Sequence, residues 1–377
     1  MRKRLFGKTQ RRLSIFSLGT MRYESADAAH AVITAAIAQG INHIETAPAY
    51  GQSEHYVGKA LKSIFATGKI SRDQLTITSK IAPIVKQADV ESTVETSLVR
   101  LGIDYLDCLA IHGINTQPHL DTVRTELLTA IGSLQTQNLV HHLGFSTHAP
   151  LAVIQNAIAT GAFSFINLHY SFFFQRNQAA IAQAHQQKMG IFIISPADKA
   201  GLLYTPPRKL QTLCAPFDPL LLNYRWLLSD PRITTLSIGP AVLEELEWPL
   251  QVKDLDGPLS KEENQVIERL ALALETELGR DRCAQCYACL PCPEGINIPE
   301  VLRLRNLAVA YDMERFGQYR YGMFENAGHW FPGQRGNRCT DCGDCLPRCP
   351  EQLDIPTLLR DTHNRLAKRE RRRLWEE

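Results

Sequence analysis

The chain has 377 residues, of which 44% are hydrophobic and 21% are charged, and its formal net charge is +2. This length suits one large domain with a smaller one, and the composition is that of an ordinary globular protein. The small net charge gives no reason to expect nucleic acid or a membrane as a partner, and no apolar run reaches the roughly 20 residues that span a bilayer. The basic start lacks the apolar core of a signal peptide, so we expect a cytoplasmic protein.

Short apolar segments alternate with longer amphipathic ones from residue 13 to about residue 279. The apolar segments are rich in β-branched residues, which is typical of parallel strands buried on both faces. The predicted strands are Leu13–Leu18, Asn42–Glu45, Leu75–Ser79, Tyr105–Ile111, Val140–Phe145, Ser164–Leu168, Gly190–Ser195 and Ile233–Ile238. The predicted helices between them include Ala26–Gln39, Ser53–Ile64, Asp89–Leu101 and Leu120–Gln137.

Eight strand–helix repeats over this length favour an α/β fold, a closed (β/α)8 TIM barrel. A doubly wound open sheet is disfavoured because no Gly-x-Gly-x-x-Gly turn follows the first strand. A charged connection at Glu247–Pro258 and a helix at Lys261–Glu277 are predicted to complete this part of the chain. We place the domain boundary near residue 280, which gives a barrel over 1–279 and a small domain over 280–377.

Eight of the ten cysteines form two groups within the small domain. The first group is Cys283, Cys286, Cys289 and Cys292, and the second is Cys339, Cys342, Cys345 and Cys349. Nothing marks secretion, so metal ligands are favoured over disulfides. Each group repeats the Cys-x-x-Cys spacing and ends in Cys-Pro, whereas zinc usually takes two separated Cys-x-x-Cys pairs. The spacing therefore favours two [4Fe–4S] clusters, with two zinc sites as the alternative.

The fourth cysteine of each group is expected to ligate the cluster of the other group, as in two-cluster ferredoxins. This assigns Cys349 to the first cluster and Cys292 to the second. Two residues rather than three precede Cys292, so the exchange at that cysteine stays open. The remaining cysteines, Cys108 and Cys214, are expected to be buried as small apolar side chains.

The two cysteine groups lie in a duplicated layout. Ile-Asn-Ile-Pro at 296–299 and Leu-Asp-Ile-Pro at 353–356 each follow a cysteine group and precede a predicted helix. The stretch between the groups has helical periodicity over Ile298–Tyr311 and Met313–Gln318, and the chain from Thr357 to Glu377 is predicted as a solvated helix of mixed charge. This layout resembles the mainly α-helical ferredoxin-like type of dicluster domain over about residues 280–365.

Polar side chains follow three consecutive predicted strands. Glu45 and Tyr50 follow the second strand, Lys80 ends the third and His112 ends the fourth. We expect these side chains to lie together, because the carboxyl ends of the strands of a (β/α)8 barrel meet at one mouth. Taken singly, each of them is more often an ordinary polar residue at the rim. In this order they resemble the Asp–Tyr–Lys–His tetrad of the aldo/keto reductases.

The resemblance covers residues 1 to about 279, and with the cysteine domain the whole chain resembles the aldo/keto reductases that carry a C-terminal [4Fe–4S] dicluster domain. Leu5–Thr9, Leu143–Ser146, Ser195-Pro196 and Ser237–Gly239 add to it. It implies an oxidoreductase that transfers hydride between NADP(H) or NAD(H) and a small-molecule carbonyl or alcohol. The cofactor-binding residues that it implies are Ser146, Thr147, Asn167, Ser195, Ser237 and Gly239.

The resemblance also implies a role for each residue of the tetrad. Tyr50 is the expected proton donor to the carbonyl oxygen. An unperturbed tyrosine titrates near pH ~10, so we expect Lys80 to bring the pKa of Tyr50 towards neutrality. Glu45 is expected to hold Lys80 by a charged hydrogen bond, and His112 is expected to orient or polarise the carbonyl.

The sequence departs from the family pattern in three places. Glu45 stands where the family has aspartate, Thr147 stands where it usually has asparagine, and Glu245 with Trp248-Pro249 stands in the region of the adenosine phosphate. A carboxylate at residue 245 is expected to repel a 2′-phosphate, so NADP(H), NAD(H) and a lost cofactor site all stay open.

Two functional hypotheses follow from the sequence. The first is the oxidoreductase described above, with the clusters serving electron transfer or structure. The second is an iron–sulfur electron-transfer or scaffold protein with a catalytically degenerate barrel. Hydride carries two electrons and no flavin motif is evident, so two roles stay open for the clusters: single-electron exchange with a ferredoxin-type partner, or shaping of the site.

Overall fold

The computed structural model describes residues 1–367, which divide into two compact units. Unit 1 comprises Met1–Ala200 and Leu220–Leu259, and unit 2 comprises Gly201–Pro219 and the described residues from Ser260 onward. We predicted a boundary near residue 280, whereas the helix that begins at Lys261 clusters with the second unit. The end of the predicted C-terminal helix, with the Arg-Glu-Arg-Arg-Arg run at 369–373, lies outside the described residues.

Unit 1 begins with an antiparallel hairpin and continues as a closed barrel of eight parallel strands. The hairpin strands are β1 (Lys3–Leu5) and β2 (Arg12–Ser14). The barrel strands are β3 (Phe16–Gly19), β4 (His43–Glu45), β5 (Thr76–Ile81), β6 (Leu106–Ile111), β7 (Val140–Ser146), β8 (Phe165–Leu168), β9 (Gly190–Ile193) and β10 (Thr235–Ile238). Their order around the barrel follows the sequence, and β10 pairs with β3 to close it. The predicted TIM barrel is confirmed.

The first predicted strand, Leu13–Leu18, is wrong in one respect, since it consists of parts of two strands. The Ser14 hydroxyl donates to the Phe16 carbonyl at 2.6 Å, and the Ser14 backbone N–H donates to the Asn42 side chain at 2.8 Å. These side-chain hydrogen bonds replace the backbone hydrogen bonds that a continuous strand would make there. The chain therefore turns between the hairpin and the barrel.

Fourteen α-helical segments lie within residues 1–367. In chain order they are α1 (Ala26–Ala38), α2 (Ser53–Ala66), α3 (Val90–Leu101), α4 (Gln117–Thr122), α5 (Leu128–Thr136), α6 (Leu151–Ala159), α7 (Gln178–Gln186), α8 (Arg208–Cys214), α9 (Pro219–Leu228), α10 (Glu247–Leu250), α11 (Lys261–Leu278), α12 (Ile298–Tyr311), α13 (Glu314–Tyr321) and α14 (Ile355–Leu366). None of them combines the length and apolar character that crossing a membrane requires.

Two local predictions differ from the structure. The helix predicted at Leu120–Gln137 is interrupted by a π-helical turn at Val123–Leu127 between α4 and α5. The predicted connection Glu247–Pro258 starts with α10, whose Pro249 is tolerated because the first turn of a helix needs no N–H donor there.

The hairpin side of the barrel is filled by apolar side chains. Phe6 is fully buried, and its ring lies 5.1 Å from the ring of Phe165. A β-carbon at Gly190, the first residue of β9, would lie 2.2 Å from the Phe6 ring, so that position has no room for a side chain. Cys108 is also buried in this cluster, as predicted. The interior also buries a polar contact, in which the His43 ring lies 2.7 Å from the Ser17 hydroxyl and 2.8 Å from the Thr78 hydroxyl.

Unit 2 is helical, as predicted, and α12 is its central element, buried along almost its whole length. The Tyr311 hydroxyl donates to the Leu270 carbonyl of α11 at 2.8 Å, and Arg305 pairs with Asp361 of α14 at 2.7 Å. Cys214, the last residue of α8, is buried as expected. These contacts hold α11, α12 and α14 together around the cysteine loops.

Candidate active site and cysteine recesses

Glu45, Tyr50 and Lys80 are in direct contact at the carboxyl ends of β4 and β5. The Lys80 ammonium lies 2.8 Å from Glu45 Oε1, 2.8 Å from the Tyr50 hydroxyl and 3.1 Å from the Thr46 carbonyl. Lys80 and Glu45 are each 3% exposed. Since an ammonium has three donors, these three acceptors satisfy it fully and fix its position.

The longer side chain of Glu45 is accommodated without loss of the pairing with Lys80. Its Oε1 also accepts a hydrogen bond from the Asn167 side chain of β8 at 3.0 Å, and its backbone carbonyl accepts one from Thr20 at 3.0 Å. The Glu45 side chain therefore reaches across the barrel from β4 to β8. One of its carboxylate oxygens contacts both Lys80 and Asn167.

His112 lies beside Tyr50, as the sequence predicted. The two rings meet edge to face, with their centroids 5.8 Å apart and an interplanar angle of 86°. Burial and the nearby Lys80 ammonium lower the pKa of His112 to about 3. The imidazole is therefore neutral at physiological pH, and it can present a single N–H donor.

The protonation of the other two groups follows from burial and charge. Burial and the Glu45 carboxylate raise the pKa of Tyr50 above its ordinary value, against the opposing effect of Lys80. The predicted shift of the Tyr50 pKa towards neutrality is therefore wrong for the protein by itself. Burial alone would lower the pKa of Lys80, but Glu45 and Tyr50 outweigh it and raise that pKa. At neutral pH the site thus holds a phenol beside an ammonium.

Of the residues expected to bind a cofactor, three lie at the ends of β7 and β8. The Ser146 hydroxyl accepts the Gly113 N–H at 3.0 Å. The Thr147 hydroxyl donates to the Ile114 carbonyl at 2.8 Å and accepts the Ala149 N–H at 3.0 Å, so neighbouring backbone groups use both of its hydrogen-bonding functions. Asn167 is fully buried, and among the described residues nothing donates a hydrogen bond to its Oδ1.

The other three expected cofactor residues follow β9 or belong to the end of β10. Ser195 is half-buried, with a positive φ of 50° in the turn after β9. Ser237 lies against Gly19, where an added β-carbon would lie 2.9 Å from the Ser237 hydroxyl. The Gly239 carbonyl accepts a hydrogen bond from Arg22 at 2.9 Å.

Glu245 is paired with a cation. This corrects the expectation from the sequence that its carboxylate would repel a 2′-phosphate. Its two oxygens pair with the Arg22 guanidinium at 2.6 and 2.9 Å, and the Ala241 N–H donates to it at 2.8 Å. Partial burial opposes ionisation, but these donors hold the pKa of Glu245 below its ordinary value. The Arg22 charge offsets the repulsion that an unpaired carboxylate would exert on a phosphate.

The sequence analysis missed a polar cluster of His148, His169 and Lys199. His169 Nε2 lies 3.1 Å from His148 Nδ1 and 3.3 Å from the Lys199 ammonium. The signal was present in the spacing, because His169 follows Asn167 by two residues and residues at that spacing share one face of an extended chain. Lys199 could not be placed, because it lies in a segment that the sequence presents as a loop.

The cysteines line two recesses of unit 2, each with three thiols from one loop and one from the other. Cys283, Cys286 and Cys289 line the first recess together with Cys349. The second recess is lined by Cys292, Cys339, Cys342 and Cys345. The structure therefore brings each fourth cysteine to the opposite loop.

The two cysteine loops also share a backbone conformation. Gln285 and Tyr287 have φ values of 60° and 64°, and the equivalent Asp341 and Gly343 have values of 58° and 79°. The left-handed residues stand at matching positions, so the two loops turn in the same way between their cysteines. Three of these residues are not glycine, so the surrounding structure must hold a conformation that costs about 1–3 kcal/mol each.

Comparison with known proteins decides the family of the chain. The model of the aldo/keto reductase family matches residues 16–205, just over half of the sequence. The chain belongs to the aldo/keto reductase family. The model of the 4Fe-4S dicluster domain matches residues 282–353. This aldo/keto reductase is therefore an oxidoreductase with an appended 4Fe-4S dicluster domain.

Among its relatives is the uncharacterized oxidoreductase YqkF of Bacillus subtilis (strain 168), with 27% identity over 285 residues, 67% of this chain and 90% of that protein. The NADP-dependent D-sorbitol-6-phosphate dehydrogenase of Malus domestica is 39% identical over 100 residues, 26% of this chain and 31% of that protein.

Two solved structures of the family have the same barrel fold. The aldo-keto reductase AKR11C1 from Bacillus halodurans (holo form) gives a TM-score of 0.62 at 23% identity, over 71% of this chain and 96% of that one. An aldo/keto reductase from Klebsiella pneumoniae in complex with NADP and acetate gives a TM-score of 0.59 at 22% identity, over 71% and 94% of the two chains.

Proposed function

We propose that this aldo/keto reductase transfers hydride between a nicotinamide cofactor and a small carbonyl or alcohol substrate. The observation that carries the proposal is the contact of Lys80 with both Glu45 and Tyr50 at the barrel mouth. We further propose that the two cysteine recesses each hold one [4Fe–4S] cluster.

The tetrad suits the proton transfer that carbonyl reduction needs. A bound nicotinamide cofactor supplies the hydride that adds to the carbonyl carbon. The Tyr50 hydroxyl is protonated at neutral pH and gives its proton to the carbonyl oxygen, so that an alcohol and a phenolate result. Lys80, 2.8 Å away, stabilises that phenolate. Neutral His112 offers an N–H to orient the same oxygen.

The residues around the mouth fit a nicotinamide amide in part. Asn167 Oδ1 is a buried acceptor without a donor among the described residues, and an amide N–H is the group that it lacks. The hydroxyls of Thr147 and Ser146 already bond to backbone groups. We assign Asn167 to the amide, and Ser146, Ser195, Ser237 and Gly239 to the rest of the cofactor. NADP(H) is the proposed cofactor, with NAD(H) as the alternative.

The recesses fit iron–sulfur clusters through their donors. Each brings four thiols together, and four cysteine sulfurs are the ligand set of a [4Fe–4S] cluster. Burial and the neighbouring thiols raise the pKa of Cys289 to about 12, so iron must displace the proton before that sulfur can ligate. A cluster supplies single-electron transfer, for which a ferredoxin-type partner is the proposed counterpart.

The test uses the whole chain, reconstituted anaerobically and analysed for iron and acid-labile sulfide. NADPH and NADH are titrated by fluorescence, and turnover is then measured with a panel of aldehydes. Tyr50→Phe should lower turnover about 10²- to 10⁴-fold because the proton donor is lost, while cofactor affinity stays unchanged. Tyr56→Phe, a change of the same kind in α2, serves as the control.

Binding of neither dinucleotide would refute the enzyme proposal. It would favour the second function, an iron–sulfur electron-transfer or scaffold protein. The hydrogen bonds of the Thr147 hydroxyl to backbone groups support that function. Full turnover by Tyr50→Phe would refute the assigned proton donor. Zinc in place of iron and sulfide would refute the proposed clusters.

A further inference from the structure

The polar cluster of His148, His169 and Lys199 is not used by the chemistry proposed above. Its members follow the ends of three neighbouring barrel strands, β7, β8 and β9. His169 is 9% exposed, and the other two are half-buried. A positive charge and two imidazoles thus share one side of the barrel mouth, whereas β4, β5 and β6 supply the tetrad on the other.

Hydrogen bonds order this cluster. An ammonium has no lone pair, so Lys199 donates to His169 Nε2, and His169 Nδ1 donates to the Ile194 carbonyl at 3.0 Å. The same Nε2 lies 3.1 Å from His148 Nδ1, so the three side chains meet at one nitrogen. The charged donor Lys199 is therefore held beside two imidazoles.

Asn167 links the cluster to the tetrad. Asn167, whose side chain reaches Glu45, lies two residues before His169 on the same face of the chain. Two residues of extended chain span about 7 Å, so His169 lies about that far from Asn167 on the side of the mouth. A second cation, Arg176, donates to the Ala149 carbonyl at 3.1 Å, next to His148 in the chain.

We propose that Lys199, His169 and His148 form a subsite for an anionic group, a carboxylate or a phosphate, carried by the carbonyl substrate. The inference deepens the proposed function and rests on it. Hydrogen bonds from a charged donor to an oxyanion are about twice as strong as neutral ones, and the two imidazoles fix the direction of that donor. The substrate class is thus a carbonyl compound with an acid group a few bonds from the reacting carbon.

The test compares two matched pairs of probes on the cluster-loaded protein. Succinic semialdehyde is compared with butanal, and glyceraldehyde 3-phosphate with glyceraldehyde. The wild-type protein should prefer the charged member of at least one pair. Lys199→Met should lower kcat/KM for that charged member about ten- to hundred-fold and leave its neutral partner unchanged, as expected for the loss of one charge-assisted hydrogen bond. His148→Gln should act in the same direction, and Lys62→Met on the exposed face of α2 is the matched control.

Several results would overturn the subsite. The first is an equal kcat/KM of the wild-type protein for the charged and the neutral probe. The second is an equal loss of kcat/KM for both probes in Lys199→Met. The third is weaker binding of NADPH by Lys199→Met. The last of these would assign the cluster to the cofactor phosphates.

A binding measurement separates this inference from the proposed function. If no probe is turned over, the proposed function fails, and calorimetric titration with succinate and with inorganic phosphate still tests the subsite. Binding of either anion that weakens about tenfold in Lys199→Met supports it, and equal binding or none refutes it.

Discussion

Lys80→Met is expected to destabilise the barrel strongly, because it leaves the Glu45 carboxylate without its cation. Glu45 is 3% exposed, and its Oε1 is 2.8 Å from the ammonium that the change removes. Methionine fills similar space but offers no donor, so the carboxylate keeps only the Asn167 amide among the side-chain contacts described above.

The magnitude follows from the burial of the pair. Removing one partner of a buried ion pair costs about 3–5 kcal/mol, because the other charge stays desolvated. That is a large share of the roughly 5–15 kcal/mol by which domains are stable. Glu45→Gln in the same chain removes the stranded charge, so the double variant should lose only about 1–2 kcal/mol, the value of the missing hydrogen bonds. The double variant should therefore be more stable than Lys80→Met alone.

Urea unfolding measures these differences, with hydrogen exchange of the β4 and β5 amides as the probe. That probe reports on the barrel strands themselves, whatever unit 2 does at the same urea concentration. Lys80→Met with wild-type stability would refute the conclusion that the pair is shielded from water. A double variant no more stable than the single one would refute the stranded charge as the cause.

Three other changes have defined outcomes. Cys349→Ser should lower the iron and sulfide content by up to about half, since one recess loses a ligand, whereas Cys214→Ser outside the recesses should not change it. Burial and Lys80 lower the pKa of His43 to about 3, so its contribution to stability is complete above pH ~6.5 and falls by up to about 1.4 kcal/mol per unit as the pH drops towards 3. A urea midpoint that stays constant from pH 7 to pH 4 would contradict this. Glu245→Gln should free Arg22 for a phosphate and shift the ratio of NADPH to NADH affinity upward about tenfold, as measured by fluorescence titration. An unchanged ratio of NADPH to NADH affinity would indicate that the 2′-phosphate does not bind at Arg22.

The barrel could be predicted because its signal is local and repeated. Each strand is a compact apolar segment, and the parallel arrangement brings the ends of all of them to one mouth. The contact of Lys80 with Tyr50 follows from that rule although 30 residues separate them. The strand bounds differ from the predicted ones by one or two residues, except where the Ser14 contacts turn the chain.

What could not be predicted depends on tertiary surroundings. The direction of the Tyr50 pKa shift is set by desolvation, which no spacing of residues reveals. The partner of Glu245 is Arg22, 223 residues away, so the sequence showed the carboxylate without its cation. The helix α11 continues the barrel in sequence, but its contacts are with α8 and α12 of unit 2.

The exchange of cysteines between the two loops bears on how this chain is made. The first recess takes Cys349 as its fourth thiol, so a ribosome must pass that codon before the recess is complete. Until then its three early thiols, Cys283, Cys286 and Cys289, would leave one corner of a cluster open to oxygen. The second recess takes Cys292, and all four of its thiols are present slightly earlier, once Cys345 has been synthesised. Intact loading of the first recess would therefore report that synthesis has proceeded through Cys349.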